Sequence, residues 1–170
     1  MALSRRLILT GIGAGLGGFG FARNPVHAAA KPIRIGVLNG LSGPYRDTSG
    51  PTSFAAVRRA AADFAAAGGG LDVEALAADH QNKADIGAAT ARGWINTDGV
   101  DAIADVPNSS VTLAVAEIVR EEDKILLEAS ATTVALTGAQ CSPNTVLRNL
   151  DPYLLGQSTG GAMVKSGDGT

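Results

Sequence analysis

The chain has 170 residues, 45% of them hydrophobic but only 4% aromatic, with 22 glycines and a formal net charge of −2. That length supplies one domain with a core of Ala, Val, Leu and Ile. The charge balance argues against nucleic acid as a partner, because nucleic-acid binding calls for a basic stripe, and the single cysteine, Cys141, excludes an internal disulfide framework.

Residues 1–30 have the layout of an export signal. Ser4, Arg5 and Arg6 precede a weakly apolar, glycine-rich stretch over residues 7–22, and the segment closes in "VHAAA". Small residues there suit cleavage after Ala28 or Ala30, and the paired arginines match the twin-arginine export type. The apolar stretch is too short and too diluted by glycine to span a bilayer. Gly13, Gly15 and Gly18 have the spacing of a dinucleotide-binding loop, but no strand precedes them, so the signal's apolar region is the better account.

From Lys31 onward the pattern alternates strand and helix. Residues 33–38 form an apolar first strand, and Phe54, Val57, Ala61 and Phe64 recur with helical period to about Ala67. Gly68, Gly69 and Gly70 end that helix. A second strand is expected over 72–78, a second helix over 84–96 and a third strand over 102–106. Val111, Ala114, Val115, Ile118 and Val119 mark a third helix, 125–127 a fourth strand and 146–148 a short fifth. This alternation predicts an α/β fold, a mostly parallel sheet with helices on both faces. Ligands of such sheets bind beyond the carboxyl ends of the strands.

Two loops at that edge carry candidate chemistry. "DVPNSSVT", 105–112, joins the third strand to the third helix, and Asn108, Ser109 or Ser110 would cap the helix there. A helix N-terminus flanked by hydroxyls is a ready carboxylate or phosphate site, although the same residues also serve as a plain cap. "EASATTVALT", 128–137, offers the hydroxyls of Ser130, Thr132 and Thr133 and small Ala129 and Ala131. Together the loops suit a small zwitterion. Weaker candidates are Asp79, His80 and Asp85, whose spacing fits no zinc pattern; His80 is expected on a solvated strand end. Asp105 and Glu128 are acids at strand ends without an established substrate geometry. Trp94 is expected in packing. No nucleophile, base and orienter can be named together, so catalysis, a cofactor and a metal are not expected.

The segments "IGVLNGLSGPY", "ADHQNKADIGAA", "DGVDAIADVPNSSVTLAVAEI" and "TGAQCSPNTVLR" occur in the order found in one family. The chain resembles the periplasmic substrate-binding proteins of ABC transporters of the branched-chain amino acid (Leu/Ile/Val) type. The resemblance implies the periplasmic binding protein type 1 fold, a two-lobed, hinged protein that closes on a small ligand and delivers it to a membrane permease. It carries the ligand contacts onto Asn108, Ser109 and Ser110, onto Ala131, Thr132 and Thr133, and onto Tyr45 at the cleft mouth.

Pro107, Asn108 and Glu128 depart from the family pattern and leave the ligand open among amino acids, aromatic acids, amides and other small carboxylates. Family members run to about twice this length, so the resemblance implies an N-terminal fragment. Residues 31–150 would be most of the first lobe and 151–170 the start of the second. Cys141 would then be available to pair with a cysteine outside the chain. A ligand-sensing receptor domain of the same fold is the alternative function, and an exported α/β enzyme the weakest.

Overall fold

The computed structural model describes residues 31–150 and 152–167. The expected export signal and cleavage site lie outside the described residues. Five strands form one sheet in the order β2-β1-β3-β4-β5, and every pairing is parallel. The expected α/β class and parallel sheet are therefore present. The strands are β1 (Ile33–Asn39), β2 (Val73–Asp79), β3 (Ala102–Ala104), β4 (Ile125–Glu128) and β5 (Thr145–Leu147). The helices between them are α1 (Gly50–Ala66), α2 (Ala84–Gly93) and α3 (Ser109–Glu121).

Local chemistry explains most boundaries. Pro51 sits in the first turn of α1, where its missing N–H costs nothing, and the helix starts at Gly50, ahead of the apolar stripe. Gly68, at φ 79°, takes the left-handed turn that follows α1. α2 continues as a wider turn, Trp94–Asp98, and stops at Gly99 with φ 66°. β3 ends two residues earlier than its apolar run suggests, because Asp105 turns to φ 52° and carries the chain away from the sheet beyond its amide.

One face of the sheet is well covered. Gly36, Ile103 and Leu126 align across β1, β3 and β4. They meet Trp94 and the buried stripe of α3, Val111, Val115, Ile118 and Val119, in one apolar cluster with Leu38. A methyl group on Gly36 would lie 2.5 Å from Cε3 of Trp94, and one on Gly87 of α2 would lie 2.3 Å from Cγ1 of Val111. Both glycines are there because the neighbour occupies the space of a side chain. Trp94 packs as expected.

Helices lie over both faces as expected, but the other face is covered only in part. α1 lies over β1 and β2. On β4 and β5, Ile125, Leu127 and Val146 stay 47%, 37% and 46% exposed. The helical residues after β5, α4 (Pro152–Leu155), a turn at Gly156–Gly160 and α5 (Gly161–Ser166), bury no side chain.

Candidate functional site

Three neighbouring strands, β1, β3 and β4, end side by side, and a polar network joins their ends. Asn39 closes β1, Asp105 follows β3 and Glu128 closes β4. Asn39 and Glu128 are fully buried and Asp105 nearly so. The Nδ2 of Asn39 donates to Oδ2 of Asp105 at 2.9 Å and to the Asp105 carbonyl at 3.3 Å. Its Oδ1 accepts from the Gly40 amide at 2.7 Å and from the Ser49 hydroxyl at 3.2 Å. The Ser130 hydroxyl donates to Oδ1 of Asp105.

Glu128 stands on the same side of β4 as buried Leu126, by strand alternation. One of its oxygens accepts from the amides of Ser130 and Ala131, each at 2.7 Å, and the other from the Val106 amide at 3.1 Å. Burial pushes its carboxyl above the ordinary range, the three N–H bonds pull it back, and the Asp105 charge adds to the upward push. Both oxygens act as acceptors, which is the hydrogen-bonding pattern of a carboxylate.

The network places the loops that hold the expected ligand residues. After β3, Asn108 is the N-cap of α3 with an extended backbone, and its Oδ1 accepts from the amides of Ser110 and Val111 at 3.0 and 3.3 Å. The Ser110 hydroxyl also donates to that oxygen, at 2.7 Å. Of the first three amides of α3, that of Ser109 is left, so the helix tip offers fewer free donors than the sequence suggests. The Ser109 hydroxyl makes no hydrogen bond among the described residues. After β4, Ala131 is buried and Thr132 is exposed with its hydroxyl unengaged among the described residues. Thr133 caps a short turn, Val134–Leu136, by accepting from the Ala135 amide at 3.3 Å.

After β1, Tyr45 is 37% exposed, and its carbonyl accepts from the amides of Thr48 and Ser49. The loop is tied to β2 through Asp79, whose Oδ1 accepts from the amides of Leu41 and Gln81 at 3.2 and 2.8 Å. Burial pushes the Asp79 carboxyl up, but hydrogen bonds from Ser42, Gln81 and Leu41 outweigh it and hold it below the ordinary range.

A groove of about 540 Å³ opens beside this edge on the α1 side, lined by Ser49, Thr52, Ser53, Asp105, Ser130 and Leu127 among others. None of the seven residues expected to touch ligand lines it. Sequence reasoning missed Asn39 and Ser49 entirely. The available signal was a polar residue at the end of each apolar strand.

His80 corrects an expectation. It is fully buried, not solvated, with Cε1 3.6 Å from where a Gly40 side chain would begin. Its Nδ1 accepts from the Asn82 amide at 2.9 Å. Burial lowers its pKa below the ordinary value, partly offset by the Asp79 charge. Among the described residues no group of three His, Cys, Asp or Glu side chains is placed to hold a metal. Cys141 is exposed and unpaired.

A family model described as periplasmic binding protein matches residues 32–170. A solved periplasmic binding protein from Burkholderia mallei is 37% identical with a TM-score of 0.74, over 80% of this chain and 36% of its own. A branched-chain amino acid ABC transporter periplasmic ligand-binding protein from Burkholderia xenovorans is 32% identical with a TM-score of 0.73, over 79% of this chain and 36% of its own. An ABC transporter solute-binding protein from R. palustris, solved with benzoate, shares the fold at 22% identity and a TM-score of 0.68, over 81% of this chain and 38% of its own. The chain thus spans little more than a third of the length of these relatives. No curated protein matches it. With a family model covering most of its residues and a fold to agree, the chain belongs to the periplasmic binding protein family.

Proposed function

We propose that this chain supplies one wall of the ligand cleft of an extracytoplasmic solute-binding protein that serves an ABC importer. The observation that carries the reading is the juxtaposition at the strand ends. The unengaged Ser109 hydroxyl at the tip of α3 and the unengaged Thr132 hydroxyl leave adjacent strands β3 and β4. A helix N-terminus and nearby hydroxyls favour a carboxylate, and a hydroxyl with open carbonyls beside it suits an ammonium or amide. Asn108, Ser109 and Ser110 would form the first contact group, Ala131, Thr132 and Thr133 the second, and Tyr45 the lip.

The ligand class is a small amino acid, aromatic acid or amide, and no catalysis is involved. Residues 31–150 are most of the first lobe and 151–170 begin the second, consistent with the unburied helical residues after β5. The protein works in the periplasm after twin-arginine export directed by residues 1–30, and hands its ligand to a membrane permease.

Calorimetric titration of the full-length protein with isoleucine, leucine, benzoate and 4-hydroxybenzoate tests this. Saturable binding of one of them, weakened about ten- to a hundredfold by Ser109→Ala or Thr132→Ala, is expected, since each change removes a hydrogen bond to a charged group. Full affinity in both variants, with normal folding, would leave Ser109 and Thr132 as structural residues only.

A further inference from the structure

We propose that Glu128 is the positioning residue of this cleft wall: its carboxylate fastens the loop after β3 to the loop after β4, so that Ser109 and Thr132 are presented as one rigid surface. The inference rests on the ligand reading above for its functional meaning, and on the hydrogen bonds of Glu128 for its substance. Glu128 itself is fully buried and does not face the cleft.

A carboxylate placed at the end of a buried strand is costly unless its hydrogen bonds demand it. Here they do. The Val106 amide belongs to the loop that runs into the Asn108 cap, and the Ser130 and Ala131 amides belong to the turn that carries Thr132. These three donors converge from two chain segments on two oxygens. A glutamine offers one acceptor oxygen and a donor amide, so it satisfies one loop and confronts the other with donor against donor. An apolar residue would leave all three amides without this partner, those of Val106 and Ala131 in buried positions.

The fastening extends further. The Ser130 hydroxyl holds Asp105, Asp105 holds Asn39, and Asn39 holds the Gly40 amide and the Ser49 hydroxyl. The Tyr45 loop is therefore registered to the other two through the same chain of bonds. The Asp105 amide still donates to the Leu127 carbonyl of β4 at 3.0 Å, and its left-handed backbone turns the chain away just beyond that bond. Charged neighbours do not compete for Glu128: the group facing it is Asp105, which is already committed to Asn39 and Ser130.

Amide hydrogen exchange on the full chain tests the fastening without any ligand. In the wild type the Val106, Ser130 and Ala131 amides should exchange slowly. In Glu128→Gln the exchange at Val106 should accelerate about ten- to a hundredfold, the loss of one charge-assisted bond. The α3 core amides of Val115 and Val119 should be unchanged. If the Glu128→Gln chain does not fold, Glu128→Asp keeps the charge but is one methylene too short to reach both loops, and should speed exchange at Val106 or at Ser130 and Ala131. Unchanged exchange at these amides in the folded variant overturns the proposal.

The functional half is read by a double-mutant cycle in the full-length protein, with isoleucine and benzoate as probes. Glu128→Gln should weaken binding about tenfold alone and much less in a Ser109→Ala background, because the loop it frees then carries no ligand hydroxyl to position. Additive losses would make Glu128 a merely structural residue. If neither probe binds the wild type, the ligand reading fails while hydrogen exchange still decides the fastening.

Discussion

Asn108 is where a helix cap and the proposed ligand contact would compete for the same side chain, and two substitutions separate them. Its Oδ1 accepts three hydrogen bonds, from the Ser110 and Val111 amides and the Ser110 hydroxyl, so the cap claims that oxygen fully. Its Nδ2 is 3.4 Å from Oδ1 of Asn82, a long bond that a ligand could replace. Asn108→Ala removes the cap and should destabilise the protein by about 1 kcal/mol. For a chain of this size that lowers the melting temperature by about 2–4 °C. Asn108→Asp keeps the acceptor and adds a negative charge at a helix N-terminus, a gain of about 0.3–1 kcal/mol. Its melting temperature should therefore equal or exceed the wild type's. A ligand carboxylate at the same helix tip would be repelled, and its affinity should fall by at least about tenfold. Thermal melts and titration with isoleucine or benzoate read the two effects independently. An Asn108→Ala protein that melts like wild type would refute the cap argument. An Asn108→Asp protein that binds a carboxylate ligand at full strength would refute the placement of that carboxylate.

Gly36→Ala should destabilise by about 1–3 kcal/mol through overpacking, because its methyl would lie 2.5 Å from the Trp94 ring; denaturant melts would show it, and a neutral result would mean that Trp94 is free to move. His80 is held below its ordinary value of 6.5 by burial, so the unfolded chain takes up the proton first. Its contribution to stability is whole above pH 6.5 and is lost as the pH falls toward the lowered folded value. Melts between pH 8 and 5 should show that loss, and His80→Gln, which can still accept the Asn82 amide, should remove it. Replacing Arg5 and Arg6 by Lys should stop export, as followed by the size of the periplasmic product; undiminished export would assign the signal to the general pathway.

The strand and helix order was legible because parallel strands buried under helices appear as short apolar runs, and each run here is bounded by glycine or a polar residue. Residues 33–38 and 72–78 each came within a residue of β1 and β2. The third helix was the plainest, since Val111, Val115, Ile118 and Val119 form a single buried stripe. The network at the strand ends was not legible. It depends on Asp105 adopting a left-handed backbone, which a non-glycine residue gives no sign of in sequence. The burial of His80 was hidden for a related reason: the room around it is made by Gly40 and Gly87, distant in sequence and joined only by the fold. The positions of Asn108, Ser109 and Thr132 at one edge could be anticipated, but not that Asn108 Oδ1 would take up two amides and the Ser110 hydroxyl there.

The two faces of the sheet give the three loops different mechanical support. The loops after β3 and β4 hang on the closed side, where Leu38, Ile103, Leu126 and the α3 stripe are almost entirely buried. The loop after β1 leads instead into α1, which has no side-chain cap and a single buried residue, Gly50. Beside α1 an apolar groove of about 380 Å³ runs along Ile33, Ile35, Val57, Phe64 and Leu127. Local opening free energy follows buried apolar contact, so α1 and the Tyr45 loop should open before α3 does. The bond from Ser49 to Asn39, together with those of Gly40 to Asn39 and Leu41 to Asp79, then ties the less supported loop to the sheet. The Ser49 bond joins this sparsely buried element to the network at Asn39, so the support of the α3 side should reach Tyr45 through Asn39 more than through the packing of α1.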